Sequence, residues 1–142
     1  MDLKISKTFF RVSLMPSANP EFRSRIGIIS STIASDNDTL FDTPPNFDTI
    51  DKVFLLSFTE VDKYFSSDDE RICIATKYAI NYGVEVGWNG LNHCNWWLRT
   101  RGWANSTYAA VVDDNGIVNR GGELVHISKC AIRPAICIDL SK

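Results

Sequence analysis

Apolar residues along the chain fall into short runs separated by polar, glycine- or proline-marked breaks. Residues 8–15, TFFRVSLM, form a first apolar segment. Asn19-Pro20-Glu21 predicts a helix start, with asparagine as cap and proline at the first helical position. That helix is expected to run through Phe22 to about Arg25, with Gly27 as its stop. Residues 28–34, IISSTIA, have the isoleucine and threonine content of a strand. Residues 35–49 are rich in Asp, Asn, Thr and Pro and have no period, which predicts an exposed loop. Its length is unusual for a compact domain and marks it as functional or mobile.

Residues 51–58, DKVFLLSF, read as a buried strand. Ser57 and Glu60 have the spacing of a capping box, in which each side chain serves the other's backbone N–H. A short helix is expected to follow, with Val61, Tyr64 and Phe65 on one face. The charged stretch 66–71 is expected as a polar turn. Thr76 predicts the start of another short helix, and Gly83 its left-handed end. After residue 107 the period shortens to two. TYAAVV (107–112) is a strand, Asp113-Asp114-Asn115-Gly116 a hairpin turn, and Ile117–Asn119 the return strand. Arg120–Glu123 is expected to turn again. Residues 124–128 and 131–140 would then complete a meander, with Pro134 at an edge, a bulge or a strand beginning.

These elements are organised around GWNGLNHCNWWLRTRGW (87–103), which contains all four tryptophans, Trp88, Trp96, Trp97 and Trp103. Aromatic side chains bury about 150–250 Å² each, so the segment anchors the core, a binding surface or both. Trp96 and Trp97 are expected in the core. Trp88 and Trp103, among glycine and asparagine, either pack under loops or face a ligand. Arg99 and Arg133 are expected to brace loops through carbonyls or carboxylates, because a buried guanidinium must be paired. Arg101 is the expected exposed cation.

A chain of 142 residues with 44% hydrophobic and 23% charged side chains has the size and composition of one globular domain. Its early helices and late strand meander read as α+β. Its net charge of −2 offers no footprint for nucleic acid. No apolar run reaches the length of a membrane span, so no membrane insertion is expected. Four cysteines, Cys73, Cys94, Cys130 and Cys137, lack C-x-x-C spacing, which argues against a zinc knuckle. They allow three complete pairings or four buried thiols. The start has no secretory signal pattern. The protein is therefore expected to be cytoplasmic if this is the full-length product, or a module excised from a longer secreted chain.

The order DKVFLLS, a Tyr-Phe-ended helix, RIC-x-x-T-x-YA, C-x-WWLR-x-x-G, a D-x-G turn and IRPAICI resembles a bacterial domain family of unknown function. That family carries DK-FLLS, WWLRSPG and GVRPAL signatures, mainly in exported, multi-domain proteins of gut Firmicutes. The resemblance covers roughly residues 9–140. Thr100 and Arg101 stand where the family has serine and proline, and Ala131 where it has glycine. The family is distantly similar to the sulfatase-modifying, formylglycine-generating fold. This implies a C-type-lectin-like architecture: a twisted, mostly antiparallel sheet, short flanking helices and long loops. The resemblance also implies a Cys73–Cys94 pair, which in the chain-entropy model stabilises by about 3 kcal/mol.

Chemistry is poorly served by what remains. The late cysteines Cys130 and Cys137, read within one strand, point to opposite faces, unlike a shared metal site. His93 and His126 are the only histidines. No serine elbow, dinucleotide motif or P-loop is present. Trp88-Asn89-Gly90 lacks the acidic third residue of calcium-binding lectins. No cofactor and no catalytic or metal residues are expected. The expectation is a non-catalytic recognition module of an exported or cell-surface protein that binds a glycan or protein ligand. Its candidate ligand-binding residues are Trp88, Asn92, His93, Arg101, Trp103, Asn105, Tyr108 and His126, since tryptophan, arginine and asparagine in loops combine rigid area with adaptable polar contacts. The alternatives are a degenerate sulfatase-modifying-type enzyme, a structural spacer, and a variable protein of a diversity-generating retroelement. The last is raised by Asn92, His93, Asn95, Asn105, Ser106, Tyr108, Asn119 and His126, the residue types that adenine mutagenesis yields.

Overall fold

A computed structural model describes residues 27–36, 40–41, 47–103, 107–126 and 129–139. The expected apolar segment at 8–15, the helix from Asn19 and most of the 35–49 loop lie outside the described residues. The described chain forms ten short strands and three short helices. Strands β1 (Gly27–Ile29), β10 (Ala135–Asp139) and β4 (Val53–Phe54) make one sheet in that order, and β2 (Ser31–Ile33) pairs with β3 (Thr49–Asp51). A two-residue ladder joins β5 (Cys73–Ile74) to β6 (His93–Cys94). The main sheet is β7 (Trp96–Arg101), β8 (Tyr108–Val112) and β9 (Val118–Leu124). All these strand pairings are antiparallel, and the helices are few. The fold is therefore α+β.

The hydrophobic interior lies where β7 and β8 meet the first helix, α1 (Phe58–Tyr64). Along β7 burial alternates, with Trp96, Leu98 and Thr100 inside and Trp97, Arg99 and Arg101 half-buried. That is the period of a pleated strand. Leu98 and Trp96 pack with Val61, Phe65, Leu56, Ala110 and Val112. Trp97 is half-buried and not in that interior, unlike the expectation for both central tryptophans.

The start of α1 shows how the chain closes its polar accounts. Ser57 and Glu60 form the expected capping box, with Ser57 N–H donating to Glu60 Oε2 at 2.9 Å and Glu60 N–H to Ser57 Oγ at 3.2 Å. Thr100, fully buried in β7, accepts from Phe58 N–H at 2.9 Å and donates to Asp36 Oδ2 at 3.0 Å. A serine there would supply the same hydroxyl. Arg99 Nη1 meets Glu60 Oε2 at 2.5 Å, and Nη2 donates to the Ala34 carbonyl at 2.9 Å. The bracing expected of Arg99 is what the structure shows.

Several boundaries differ from the pattern. The expected strand at 51–58 is cut to β3 and β4, because the chain turns at Lys52 and Leu55–Ser57 leads into the helix cap. The polar 66–71 stretch is not a bare turn. Ser67 caps a single helical turn, α2 (Asp68–Arg71), by accepting from Glu70 N–H. The third helix, α3 (Lys77–Asn81), starts on Thr76 and ends before Gly83 at φ +98°, as expected. Arg120–Glu123 does not turn. It lies inside β9, where a register shift opposite Ala109–Val111 absorbs the glycines. β10 does not extend a meander from β9, but crosses to pair with β1 and β4. Pro134 stands immediately before β10, where no ladder N–H is needed. Cys130 precedes that strand, so it and Cys137 do not share one.

Gly116 ends the expected hairpin turn at φ +82°. A Cβ there would collide with the Asp68 carbonyl, and Arg71 Nε donates to the Gly116 carbonyl at 2.8 Å. The hairpin is thus docked on α2 with no room for a side chain. Gly116→Ala is expected to cost about 2 kcal/mol, from the left-handed backbone and the displaced helix together. Gly83→Ala, at a site with open space, should cost about 1 kcal/mol. Urea unfolding of the two variants checks the difference.

Candidate recognition cleft and dithiol

Between β5 and β6 the chain makes an excursion, residues 75–92, that carries α3 and the Trp88 loop. The excursion is tied down at three points. Ala75 N–H donates to the Asn92 carbonyl at 2.8 Å, Gly87 N–H to the His93 carbonyl at 2.8 Å, and Glu85 N–H to the Lys129 carbonyl at 3.0 Å. Lys129 Nζ also reaches Glu85 Oε1 at 2.5 Å. A side chain at Gly87 would meet the movable carboxylate of Asp114. The hairpin turn is thereby pressed against the loop, and Trp88, the next residue, stands fully in solvent.

A cleft of about 490 Å³ opens beside it, lined by Trp88, Asn95, Glu85, Asp114, Glu123, Lys129 and Cys130, among others. One wall is an indole. The polar lining offers an amide, three carboxylates and one ammonium. Burial, and after it the charges of Glu123 and Glu85, push the Cys130 thiol up to about 11. That disfavours its thiolate near neutrality.

Six of the eight expected ligand-binding residues fall into two groups. Trp88, Asn92 and His93 belong to the excursion and the strand that closes it. Asn92 is exposed and left-handed at φ +57°, a conformation asparagine tolerates, so its backbone has a shaping role. His93 is half-buried, its Nδ1 3.3 Å from Asn89 Nδ2. Arg101, Trp103 and Tyr108 gather where β7 turns toward β8, with Gly102 N–H on the Tyr108 carbonyl and Trp103 N–H on the Gly121 carbonyl. Trp103 is largely exposed. Arg101 is half-buried, not the open cation expected from sequence, because it continues the strand opposite Ala109. His126 is exposed in the turn after β9, and Asn105 lies outside the described residues. Among the described candidates, Trp88 is the one that lines the cleft. Sequence reasoning missed Glu85, Asp114, Glu123 and Lys129, which come from separate elements with no local signal. It also missed Tyr78 on α3 and Tyr82 at its C-cap, exposed rings stacked at 4.4 Å. Their four-residue spacing on a short helix was the available clue.

At the base of the excursion Cys73 and Cys94 are direct partners across the β5–β6 ladder, and both are thiols. Cys94 is buried, and its sulphur lies 3.6 Å from the Cys73 carbonyl oxygen. Arg133 is held beside them. Its Nη1 donates to the Arg71 carbonyl at 2.9 Å, and its guanidinium stacks 4.9 Å from the Trp96 ring and 5.0 Å from Phe65. A hydrogen bond from Cys94, helped by the Arg133 charge and opposed by burial, brings the Cys73 thiol down to about 7. The same hydrogen bond, with burial, pushes Cys94 well above the usual thiol range.

No curated protein and no solved structure matches the chain. The profile of DUF6273, a domain of unknown function, matches residues 13–140, and the chain belongs to that family.

Proposed function

We propose that this domain is a non-catalytic recognition module of an exported or cell-surface bacterial protein, and that its ligand seats in the cleft beside Trp88. The observation that carries this reading is the full exposure of that indole at the wall of a polar-lined cleft. Burying a large apolar side chain stabilises by roughly 1.5–3 kcal/mol, and Trp88 leaves that gain unused within the fold. A ligand face laid on the indole recovers it. Sugar rings present an apolar face with hydroxyls at the edge, which suits an indole wall over an amide and carboxylates. A glycan is thus the favoured ligand, and a protein loop with an aromatic or aliphatic tip is the second. Kinship with the sulfatase-modifying group and a C-type-lectin-like architecture are part of the same proposal. They are supported by the α+β arrangement with short helices and long connections.

Glycan and peptide arrays probed with the wild-type chain are expected to give a ligand. Trp88→Ala should then weaken binding by about 30-fold or more, the loss of a central aromatic anchor. Its folding stability should change by no more than about 0.5 kcal/mol, as for exposed sites. Trp103→Ala should weaken binding far less. Equal binding by wild type and Trp88→Ala, or silence of both, removes the reading.

A further inference from the structure

We propose that Cys73 and Cys94 form a thiol–disulfide exchange site in which Cys73 is the attacking sulphur and Cys94 the resolving one. Four features of the structure carry this. The two residues are opposed in the β5–β6 register, and directly opposed antiparallel residues have Cα atoms about 4.5–5.5 Å apart, within the range a disulfide spans. That spacing is compatible with a sulphur–sulphur bond. Access is unequal: Cys73 is half-buried and Cys94 almost wholly enclosed, so an incoming disulfide meets Cys73 first. The Arg133 guanidinium is fixed by the Arg71 carbonyl and by the Trp96 and Phe65 rings, which makes it a standing positive charge beside the pair. Finally, the two thiols part company in acidity. Cys73 is lowered to about 7 while Cys94 is raised, so near neutrality a substantial share of Cys73 is thiolate beside a protonated Cys94. A thiolate next to a protonated partner is the state that exchange requires.

The reaction partner is a low-molecular-weight disulfide. The Cys73 thiolate attacks one of its sulphurs, forms a mixed disulfide and releases one thiolate. Cys94 then gives up its proton, attacks the Cys73 sulphur and expels the second thiolate. The sum is two protein thiols and one small disulfide converted to one protein disulfide and two small thiols. The electrons pass to the small molecule, and Arg133 is a positioning residue that acts through the Cys73 charge. The product closes the loop around the 75–92 excursion, whose amides should then exchange hydrogen more slowly. The exchange chemistry does not depend on the recognition reading.

The test uses the folded full chain with oxidised glutathione as the probe, acid quenching and mass spectrometry of the intact protein and its peptides. Wild type is expected to lose two hydrogens through a Cys73–Cys94 bond. Cys94→Ser should trap one glutathione on Cys73, and Cys73→Ser should trap none on Cys94. Iodoacetamide should alkylate Cys73 in the Cys94→Ser chain more than about tenfold faster than Cys130 at neutral pH. In the otherwise wild-type chain, Arg133→Gln should move the pH midpoint of Cys73 alkylation upward and Arg133→Lys should restore it, a pattern that loss of packing alone does not give. Glutathione on Cys130 or Cys137 in preference to Cys73, trapping on Cys94, or no reaction in any variant overturns the proposal. The two serine variants decide it even where an Arg133 variant fails to fold.

Discussion

Trp96→Ala is expected to destabilise the fold by about 3–5 kcal/mol, the range for removing a fully buried aromatic side chain. Trp96 has no exposed surface. It stands opposite Val112 in β8 and forms a parallel bridge to Ala131, so one residue joins the main sheet to the segment entering β10. Its indole N–H donates to the Arg71 carbonyl at 3.0 Å, and the Arg133 guanidinium rests on its ring. Truncation thus leaves a cavity and removes one support of a largely buried cation. Against a total of about 5–15 kcal/mol for an ordinary domain, the loss is severe. Trp96→Phe should cost less, about 1–2 kcal/mol, because the ring is partly kept and the Arg71 carbonyl retains Arg133 as a donor. Thermal unfolding by circular dichroism checks both. An alanine variant that melts with wild type would contradict the placement of this indole.

Arg99→Ala is expected to cost about 3 kcal/mol, at the low end for breaking a buried ion pair because both side chains still touch solvent. The guanidinium joins Glu60 on α1, the Ala34 carbonyl after β2 and, at 3.4 Å, the Leu55 carbonyl after β4. Three segments far apart in sequence meet on this one group. Glu60→Ala removes the pair and half of the capping box together. A double-mutant cycle with Arg99→Ala should show a coupling of about 1–3 kcal/mol. Raising the salt from low to molar concentration should change that coupling little, since the pair is mostly shielded from solvent. A coupling near zero would show that Arg99 acts through its carbonyl contacts alone.

Local features were readable where the physics is local. The Ser57–Glu60 cap, the Thr76 cap and the Gly83 and Gly116 turns each follow from a few consecutive residues. The alternating burial of β7 was not read, since Trp96 and Trp97 were both expected inside. Strand partnership did not follow. Residues 131–140 carry the right composition for a strand, but nothing in them says that the neighbours are β1 and β4 rather than β9. Arg120-Gly121-Gly122 has turn composition, yet the register shift against β8 keeps it in the strand. Gly122, at φ +74°, packs against the Ala109 carbonyl where a side chain could not fit. The site was legible to the same degree. Trp88 stood out as an indole between small polar residues. The charged lining of its cleft comes from Glu85, Asp114, Glu123 and Lys129, which only the tertiary fold brings together.

The pairing of Gly27 with Asp139 has a mechanical consequence. The chain enters β1 and leaves β10 at the same end of one antiparallel ladder. Tension applied through those two points would peel the ladder open one bond after another, instead of shearing all of its bonds at once. Such a ladder yields early under a load applied at those two residues.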